Sequence, residues 1–396
     1  MILKLQFLIV SIVVAIYIIN PTVFQNTGIV ANAQSIEATQ ASQPQDPTVL
    51  EQKFEAIITK DLGDIKADVY GQTQYIKQFE GQILNGPKKS ETVNIQNGQT
   101  QDLSSRQFKV GDQVIISPDY ETSKTNKYII TDSIRRTPLY ILFVIFIGIT
   151  ILIGRKSGIS SIAGMLLSFA TIFIFLLPQI ASGRNPIIVS LVSSLLIIPS
   201  TFYLSHGFNR KTTAAVVSTI LCLIFTALLA SIFVDAAKIT GFASEEAGFI
   251  EAARPGAVNI KGLLLAGIII SLLGILDDIT ISQSSIVSQL KKTSPTLTKS
   301  ALYSKAMEIG KDHIASVVNT LILVYAGAAL PLLILFTDNS TPFLEIINYE
   351  IVAEEIVKTL VASIGMIAAV PIATLFSIYF LNDKDFTETN EHHHNH

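Results

Sequence analysis

Residues 262–281 read GLLLAGIIISLLGILDDITI, and this stretch decides the class of the protein. A helix needs about 20 mostly apolar residues to cross the hydrocarbon core of a bilayer, and this run has that length. Two adjacent carboxylates, Asp277 and Asp278, interrupt the run near its end. The run therefore predicts a membrane-spanning helix, and acidic residues inside such a helix predict a functional site.

The composition of the whole chain also indicates a membrane protein. Of the 396 residues, 49% are hydrophobic and 15% are charged, and the mean hydropathy is +0.50. Soluble domains carry about 25% charged residues. The formal net charge of −3 gives no reason to expect nucleic acid as a partner. The single cysteine, Cys222, excludes an intrachain disulfide and a thiolate zinc cluster.

Seven apolar runs, each between 17 and 23 residues long, predict seven transmembrane helices. We therefore expect an α-helical polytopic membrane protein that has the lipid bilayer as its partner. The spans follow an N-terminal signal or anchor and a small β-rich extracytoplasmic domain. The transmembrane domain covers residues 137–381, with spans at 137–153, 159–177, 186–204, 212–234, 262–281, 315–336 and 359–381.

The residues before the first span predict an exported segment. Lys4, an apolar run and the small residues around Ala33 are typical of a signal peptide or a signal anchor over residues 1–33, and both alternatives stay open. Residues 34–68 are rich in Gln, Thr, Ala and Pro and predict a tether, with a short helix over residues 51–59. Alternating residues and turn signals over 69–133 predict the β-rich domain.

Two arguments predict the orientation of the chain. Export of residues 34–136 makes the first span run inward, and alternation then leaves the tail, residues 382–396, in the cytoplasm. Lys and Arg give a second argument, because nine lie in loops placed inside and six in segments placed outside. Loop 282–311 is then a basic cytoplasmic loop, broken at Pro295, whereas Arg135 and Arg136 beside the first span count against this orientation.

Polar side chains on two successive spans form the candidate site. Asp278 and Ser282 share one stripe of the fifth span, and Asp277 lies on the neighbouring stripe. The sixth span opens with a second polar set from the cytoplasmic side. If the two sets meet near the inner membrane face, they create a site for a small solute or ion of unknown identity. The candidate residues are Asp277, Asp278, Ser282, Gln283, Asp312, His313 and Asn319.

The leading hypothesis is a transporter or permease with a proton- or cation-linked acidic site. Polar groups that only reach water, or that only lock helices together by hydrogen bonds, are the structural alternatives. A membrane enzyme using paired carboxylates, with Mg²⁺ or Mn²⁺ left open, is a second hypothesis. A non-catalytic scaffold that binds a partner protein through the β-rich domain is a third. No catalytic residue or cofactor is predicted, and Glu354 and Lys358 are expected to be a solvated i,i+4 pair.

Five stretches carry a resemblance to a known family. They are GFNRKT at 207–212, LGILDDITISQ at 273–283, GKDHIASVVNTL at 310–321, AGAALPLL at 326–333 and GMIAAVP at 365–371. Together they resemble the YibE/F-like proteins of bacteria, which are polytopic membrane proteins without an established biochemical role. The resemblance implies the bacterial cytoplasmic membrane as location and implies no substrate. Lys311 stands where many members have Arg, and five candidate residues fall at motif positions of the family: Asp277, Asp278, Asp312, His313 and Asn319.

Overall fold

The computed structural model describes residues 53–69, 72–97, 107–118, 127–337 and 342–380. The predicted signal at 1–33, the tether up to residue 52 and the tail at 382–396 lie outside these residues. The chain divides into two compact units, with the boundary between Ile149 and Thr150. The barrel unit ends at Ile149, and the membrane unit begins at Thr150.

The barrel unit contains five β-strands that close into a barrel. The strands are β1 (Phe54–Val69), β2 (Gln72–Ile83), β3 (Thr92–Gln96), β4 (Gln113–Pro118) and β5 (Lys127–Ser133). Their order around the barrel is β1-β2-β3-β5-β4, with β3 and β5 parallel and the other neighbours antiparallel. This is the topology of the five-stranded Greek-key OB barrel.

Alternation along β1 explains why this segment is a strand. Phe54, Ala56 and Ile58 are buried while the residues between them are not, which is the period of two that a half-buried strand requires. The helix predicted over residues 51–59 is therefore wrong, and the barrel begins inside the stretch predicted as a tether. The barrel core consists of Phe54, Ala56, Ile58, Phe79, Ile83, Val93, Ile95, Phe108, Val114, Ile116, Tyr128 and Ile130.

A pair of ionic contacts ties the barrel to the start of the first helix, α1 (Arg136–Ala170). The guanidinium of Arg136 donates to both carboxylate oxygens of Glu55 on β1, at 2.7 and 2.6 Å. Arg135 pairs in the same two-pronged way with Asp132 on β5. Bidentate Arg–carboxylate pairs fix orientation as well as distance, so they hold the first residue of α1 against β1.

The membrane unit is helical. A π-helical segment, Thr171–Leu176, follows α1 and leads into α2 (Leu177–Ala181). The remaining helices are α3 (Pro186–His206), α4 (Arg210–Ala236), α5 (Glu245–Ala253), α6 (Ile260–Thr293), α7 (Lys299–Ala328), α8 (Leu330–Thr337), α9 (Phe343–Ile346) and α10 (Glu350–Phe380).

Within the described residues, five helical stretches are long and apolar enough to cross a membrane, so the membrane class is confirmed at this coarser level. They are Arg136–Ala181, Pro186–His206, Arg210–Ala236, Ile260–Thr293 and Glu350–Phe380. The predicted count of seven is not confirmed. The first stretch contains two of the predicted spans, and the predicted span 315–336 is divided between α7 and α8.

The first of these stretches is not one continuous helix. Arg155 has a φ of 48° and a ψ of −124°, which breaks the helical path between the two predicted spans. A Cβ on Gly158 would collide with the carbonyl oxygen of Thr150. In an unbroken helix, residues eight positions apart are separated by about 12 Å along the axis. The chain therefore turns back sharply at Arg155, and glycine at position 158 permits the close approach.

The core of the membrane unit is built from α4, α6 and α10, which pack against one another. Helix α3 packs on α6, and α7 packs on α10 and α6. Leu272, Leu276 and Ile279 give α6 its buried stripe, and Val361 and Met366 belong to that of α10. Many large apolar side chains point away from the core, as expected for lipid contact; they include Leu228, Ile232, Ile322, Leu323, Leu360 and Leu375.

Candidate functional site

Hydrogen bonds between buried side chains set the register of the core helices. The hydroxyls of Thr219 on α4 and Thr280 on α6 lie 2.6 Å apart. The hydroxyl of Ser377 on α10 donates to Ser284 on α6 at 2.8 Å. Because the helices are locked at these points, the level of any other residue along the bundle follows from the rise of 1.5 Å per residue.

Gln283 joins three helices. Its side-chain nitrogen donates to the backbone carbonyl of Ala306 on α7 at 2.9 Å and to the hydroxyl of Thr374 on α10 at 2.7 Å. The side chain is 2% exposed. Gly310 makes room for this contact, since a Cβ there would lie 2.5 Å from Val370 and 3.1 Å from the Gln283 amide. The predicted site residue Gln283 thus acts as a connection between helices.

Asp277 is half-buried, and its Oδ1 is a buried oxygen without a hydrogen-bond partner among the described residues. It shares a helical stripe with Leu273 and Ser284, the second of which bonds to α10. Helices α3 and α6 run parallel from the contact of Pro186 with Gly262, so Asp277 is level with Thr201, fifteen residues further along α3. The hydroxyl of Thr280, one turn further along α6, and that of Thr201 are near this level and bond to backbone carbonyls of their own helices.

Asp278 differs from its neighbour because it is exposed on the surface of the chain. The same is true of Asp312 and Asn319 on α7, and Ser282 is half-buried. The structure therefore separates the predicted carboxylate pair into one group that faces the core and one that faces away from it. Helix geometry explains this, because adjacent residues point about 100° apart.

His313 lies on the inward face of α7, one turn before Val317 and two turns before Leu321. Its Nε2 is buried and has no partner among the residues that the structure describes. Gln283, which bonds from α6 to the backbone of α7, lies about 120° around α6 from Asp277. Asp277 and His313 share one property, since each has a buried polar atom that no described residue satisfies.

Sequence reasoning missed Glu354. This residue was expected to be solvated, which is wrong, because it is only 7% exposed in the first turns of α10. Its Oε1 pairs with Lys358, whereas its Oε2 is buried without a partner in the described part of the chain. The sequence feature that indicates burial of Glu354 is its helical spacing. Glu354 precedes the buried residues Val361 and Gly365 by seven and eleven positions, which places it on their face of α10.

The described residues include no group of three or more His, Cys, Asp or Glu side chains arranged to hold a metal ion. A model of the YibE/F-like protein family matches residues 142–383. The chain belongs to the YibE/F-like family. The matched part of this YibE/F-like protein contains every candidate site residue and Glu354, and it excludes the barrel. No curated protein and no solved structure matches the chain.

Proposed function

We propose that this YibE/F-like protein is a permease in which Asp277 binds the proton or cation that is linked to transport. The observation that supports the proposal is the buried Asp277 oxygen that no donor among the described residues satisfies. A carboxylate inside the membrane is costly unless it is paired, so an unpaired one is a functional candidate by default. A proton or cation supplies the missing partner.

The hydroxyl groups at the level of Asp277 fit this role. Thr219 and Thr280 bond to each other within the core, and the hydroxyl of Thr201 bonds to backbone carbonyls of its own helix. Carboxylate and hydroxyl oxygens are hard ligands, which suit protons and hard cations better than soft metals. In this proposal Ser282, Asp312 and Asn319 line the approach from the cytoplasm, His313 is a further polar group on α7, and Asp278 faces away from the core and takes no part.

The experiment compares two adjacent carboxylates. Protein reconstituted in liposomes is tested for proton, Na⁺ and K⁺ uptake under an imposed gradient, with entrapped fluorescent indicators. We expect Asp277→Asn to reduce uptake to the level of empty liposomes, while Asp278→Asn retains most of it because Asp278 faces away from the core. Equal uptake by wild type and Asp277→Asn contradicts the proposal, and so does a wild type that carries none of the three ions.

The proposal includes seven spans in the bacterial cytoplasmic membrane, with residues 34–136 outside and the C-terminus inside. The turn at Arg155 supports it, because it gives Arg136–Ala181 the form of two helices. Ser157→Cys in a Cys222→Ala background should react with a membrane-impermeant maleimide only when the cytoplasmic face is accessible. Ser168→Cys, half-buried within α1, should react from neither side. A Ser157→Cys variant that is unreactive from both sides excludes the turn as a membrane boundary.

A scaffold role is the second candidate, and the anchored barrel favours it. The bidentate pair of Arg136 with Glu55 holds a closed, rigid barrel at the membrane helix, which suits presentation of a binding surface. Deletion of residues 34–133 separates the two candidates. A permease should keep its ion uptake without the barrel. A scaffold should lose its partner protein, and it should show no ion uptake with or without the barrel.

A further inference from the structure

Three charged side chains form a cluster in the first turns of α10. Lys358 Nζ lies 2.5 Å from Glu354 Oε1 and 3.1 Å from Glu355 Oε1. Two carboxylates therefore share one ammonium group, and the cluster carries a formal charge of −1. The Glu354 side chain is 10% exposed and the Glu355 side chain 32%. The uncompensated negative charge is therefore more shielded from water on the Glu354 side.

The open position in this cluster is a single atom. Glu354 Oε2 is buried and accepts no hydrogen bond from any described residue. A buried carboxylate oxygen without a donor is costly, because it has lost water and gained nothing in return. The ion pair with Lys358 satisfies Oε1 only. Oε2 therefore remains a buried acceptor without a donor among the described residues.

Charged groups on neighbouring elements do not fill this vacancy. The carboxylate of Glu350 is occupied by the backbone N–H groups of Thr240 and Gly241. At the same end of the bundle, Asp235 at the end of α4 and Lys261 at the start of α6 pair with each other. Lys238, close in sequence to Thr240, and Glu345 on α9 are both exposed. No charged residue of α7 lies at this level, since its described charges all precede His313.

The cluster lies far from Asp277 along the same helices. Asp277 precedes Gln283 by six residues, and Gln283 contacts Thr374, so Asp277 is level with Ala368 of α10. Ala368 follows Glu354 by fourteen residues, which corresponds to about 21 Å at 1.5 Å per residue. The hydrocarbon core of a bilayer is about 30 Å thick. The two unsatisfied carboxylates are thus separated by most of the membrane.

We infer that Glu354, Glu355 and Lys358 form a second binding site for one positive charge, either a proton or a monovalent alkali cation, at the end of the bundle opposite to Asp277. The inference deepens the proposed function and rests on it for its role in transport. A proton adds to Oε2 and gives a neutral carboxylic acid, while Lys358 keeps Glu355 as its counter-ion. An alkali cation instead binds Oε2 directly. Either one brings the cluster to a net charge of zero.

Chemical labelling of the wild-type protein tests this site without a variant that has to fold. A hydrophobic carbodiimide reacts with a protonated buried carboxyl and leaves an N-acylurea, or an amide to a neighbouring lysine with loss of the urea. Mass spectrometry of the purified full-length chain locates either product. If the site binds a proton, labelling of Glu354 should rise several-fold on acidification, and labelling of Glu355 should stay lower because it is more exposed to water.

The same experiment distinguishes the two ligands. If the site takes an alkali cation, NaCl or KCl should suppress the labelling of Glu354 relative to choline chloride at equal ionic strength. If it takes only a proton, the three salts should give equal labelling at each pH. Labelling of Glu354 that responds neither to pH nor to salt overturns the inference, as does labelling that never exceeds that of Glu355.

The failure of this inference and the failure of the proposed function are separate outcomes. Labelling of Glu354 is measured in detergent and needs no flux, so it can succeed when Asp277→Asn leaves uptake unchanged. In the opposite case, uptake depends on Asp277 while labelling of Glu354 responds neither to pH nor to salt. That result excludes the second site and leaves the proposed function intact. When both sites hold, Glu354→Gln should reduce uptake several-fold, and Glu355→Gln should reduce it less.

Discussion

The side-chain amide of Gln283 on α6 donates to the hydroxyl of Thr374 on α10 at 2.7 Å, in a place where neither side chain reaches solvent. The same nitrogen donates to the carbonyl of Ala306 on α7. One side chain therefore holds three helices in register, at the end of the bundle that contains Asp277.

Unfolding of the chain can be measured without adding a label site. Since Cys222 is the single cysteine and is buried, a thiol-reactive fluorescent dye reports unfolding of the unmodified chain.

Replacement of Gln283 should destabilise the bundle. Gln283→Leu keeps the size of the side chain but leaves the Ala306 carbonyl and the Thr374 hydroxyl without this donor. Unsatisfied buried groups cost about 1–3 kcal/mol each. We expect a lower midpoint of thermal unfolding in the dye assay, whereas Gln289→Leu, on the exposed part of α6, should leave the midpoint nearly unchanged. Equal midpoints for the two variants would show that the connection is not structural.

Two glycines in membrane helices should respond in opposite ways to the same substitution. Gly310→Ala places a methyl group 2.5 Å from Val370, so α7 must move away from α10, at a cost of about 1–3 kcal/mol for overpacking. Gly274 has open space where its Cβ would be, and alanine there gains up to about 1 kcal/mol in helix propensity. Thermal unfolding of the two variants checks the contrast. A destabilised Gly274→Ala variant would reveal a contact that the single chain does not contain.

The pair of Glu55 with Arg136 should make the link between barrel and helix sensitive to acid. Hydrogen bonds from Arg136, and to a lesser degree its charge, hold the pKa of Glu55 below its ordinary value of 4.5, while slight burial opposes them. A lowered pKa in the folded state means that the pair stabilises the link above pH 4.5. The contribution is lost as the pH falls through the lowered pKa.

Hydrogen exchange of the first turn of α1 measures this effect. Glu55→Gln should speed exchange relative to wild type near neutral pH, and the difference should vanish in acid. The stabilisation is expected to be small, because the pair is partly exposed and water screens it. Glu91→Gln serves as the control, since its side chain has no recorded partner in the described residues. A Glu55→Gln difference that persists in acid contradicts the ionic explanation.

Glycine in the middle of β2 should be required for closure of the barrel. A Cβ on Gly81 would lie 2.9 Å from the carbonyl oxygen of Ile57 on β1 and collide with the side chain of Ile95 on β3. Gly81→Val should therefore open the barrel, which is detected as rapid proteolysis of residues 53–133 in the full-length protein. The β-branched control Thr92→Val, at an exposed strand position, should stay resistant. Resistance of Gly81→Val would show that the barrel adapts to the added volume.

The sequence predicted the features of this chain that depend on simple periodicity. Apolar runs indicated the membrane helices, and the charges of Arg155 and Lys156 marked the place where the first long stretch turns. The strand β1 was missed because polar residues alternate with Phe54, Ala56 and Ile58 in a segment that also resembles a flexible tether. The family was predicted from its motifs, and the family match confirms it.

The candidate site was less predictable, because it depends on which face of each helix the bundle covers. Sequence alone places Asp277 and Asp278 on neighbouring stripes of one span, and only tertiary packing decides that Asp277 is half-buried and Asp278 exposed. Gln283 appeared as a potential ligand and proves to be a connection between helices. Glu354 was assigned to solvent because an i,i+4 partner was within reach, although its spacing from Val361 placed it on the buried face.

The position of α10 in the chain has a consequence for biogenesis. This helix leaves the ribosome after all the other described helices, yet it packs against α4, α6 and α7 and supplies Thr374 and Ser377 to polar side chains of α6. Until translation reaches it, the earlier helices sit in the translocon or in lipid with those polar groups unmatched. A chain that stops before Glu350 therefore lacks the helix that completes these hydrogen bonds. Membrane proteases should degrade such a chain even though the earlier helices have been inserted.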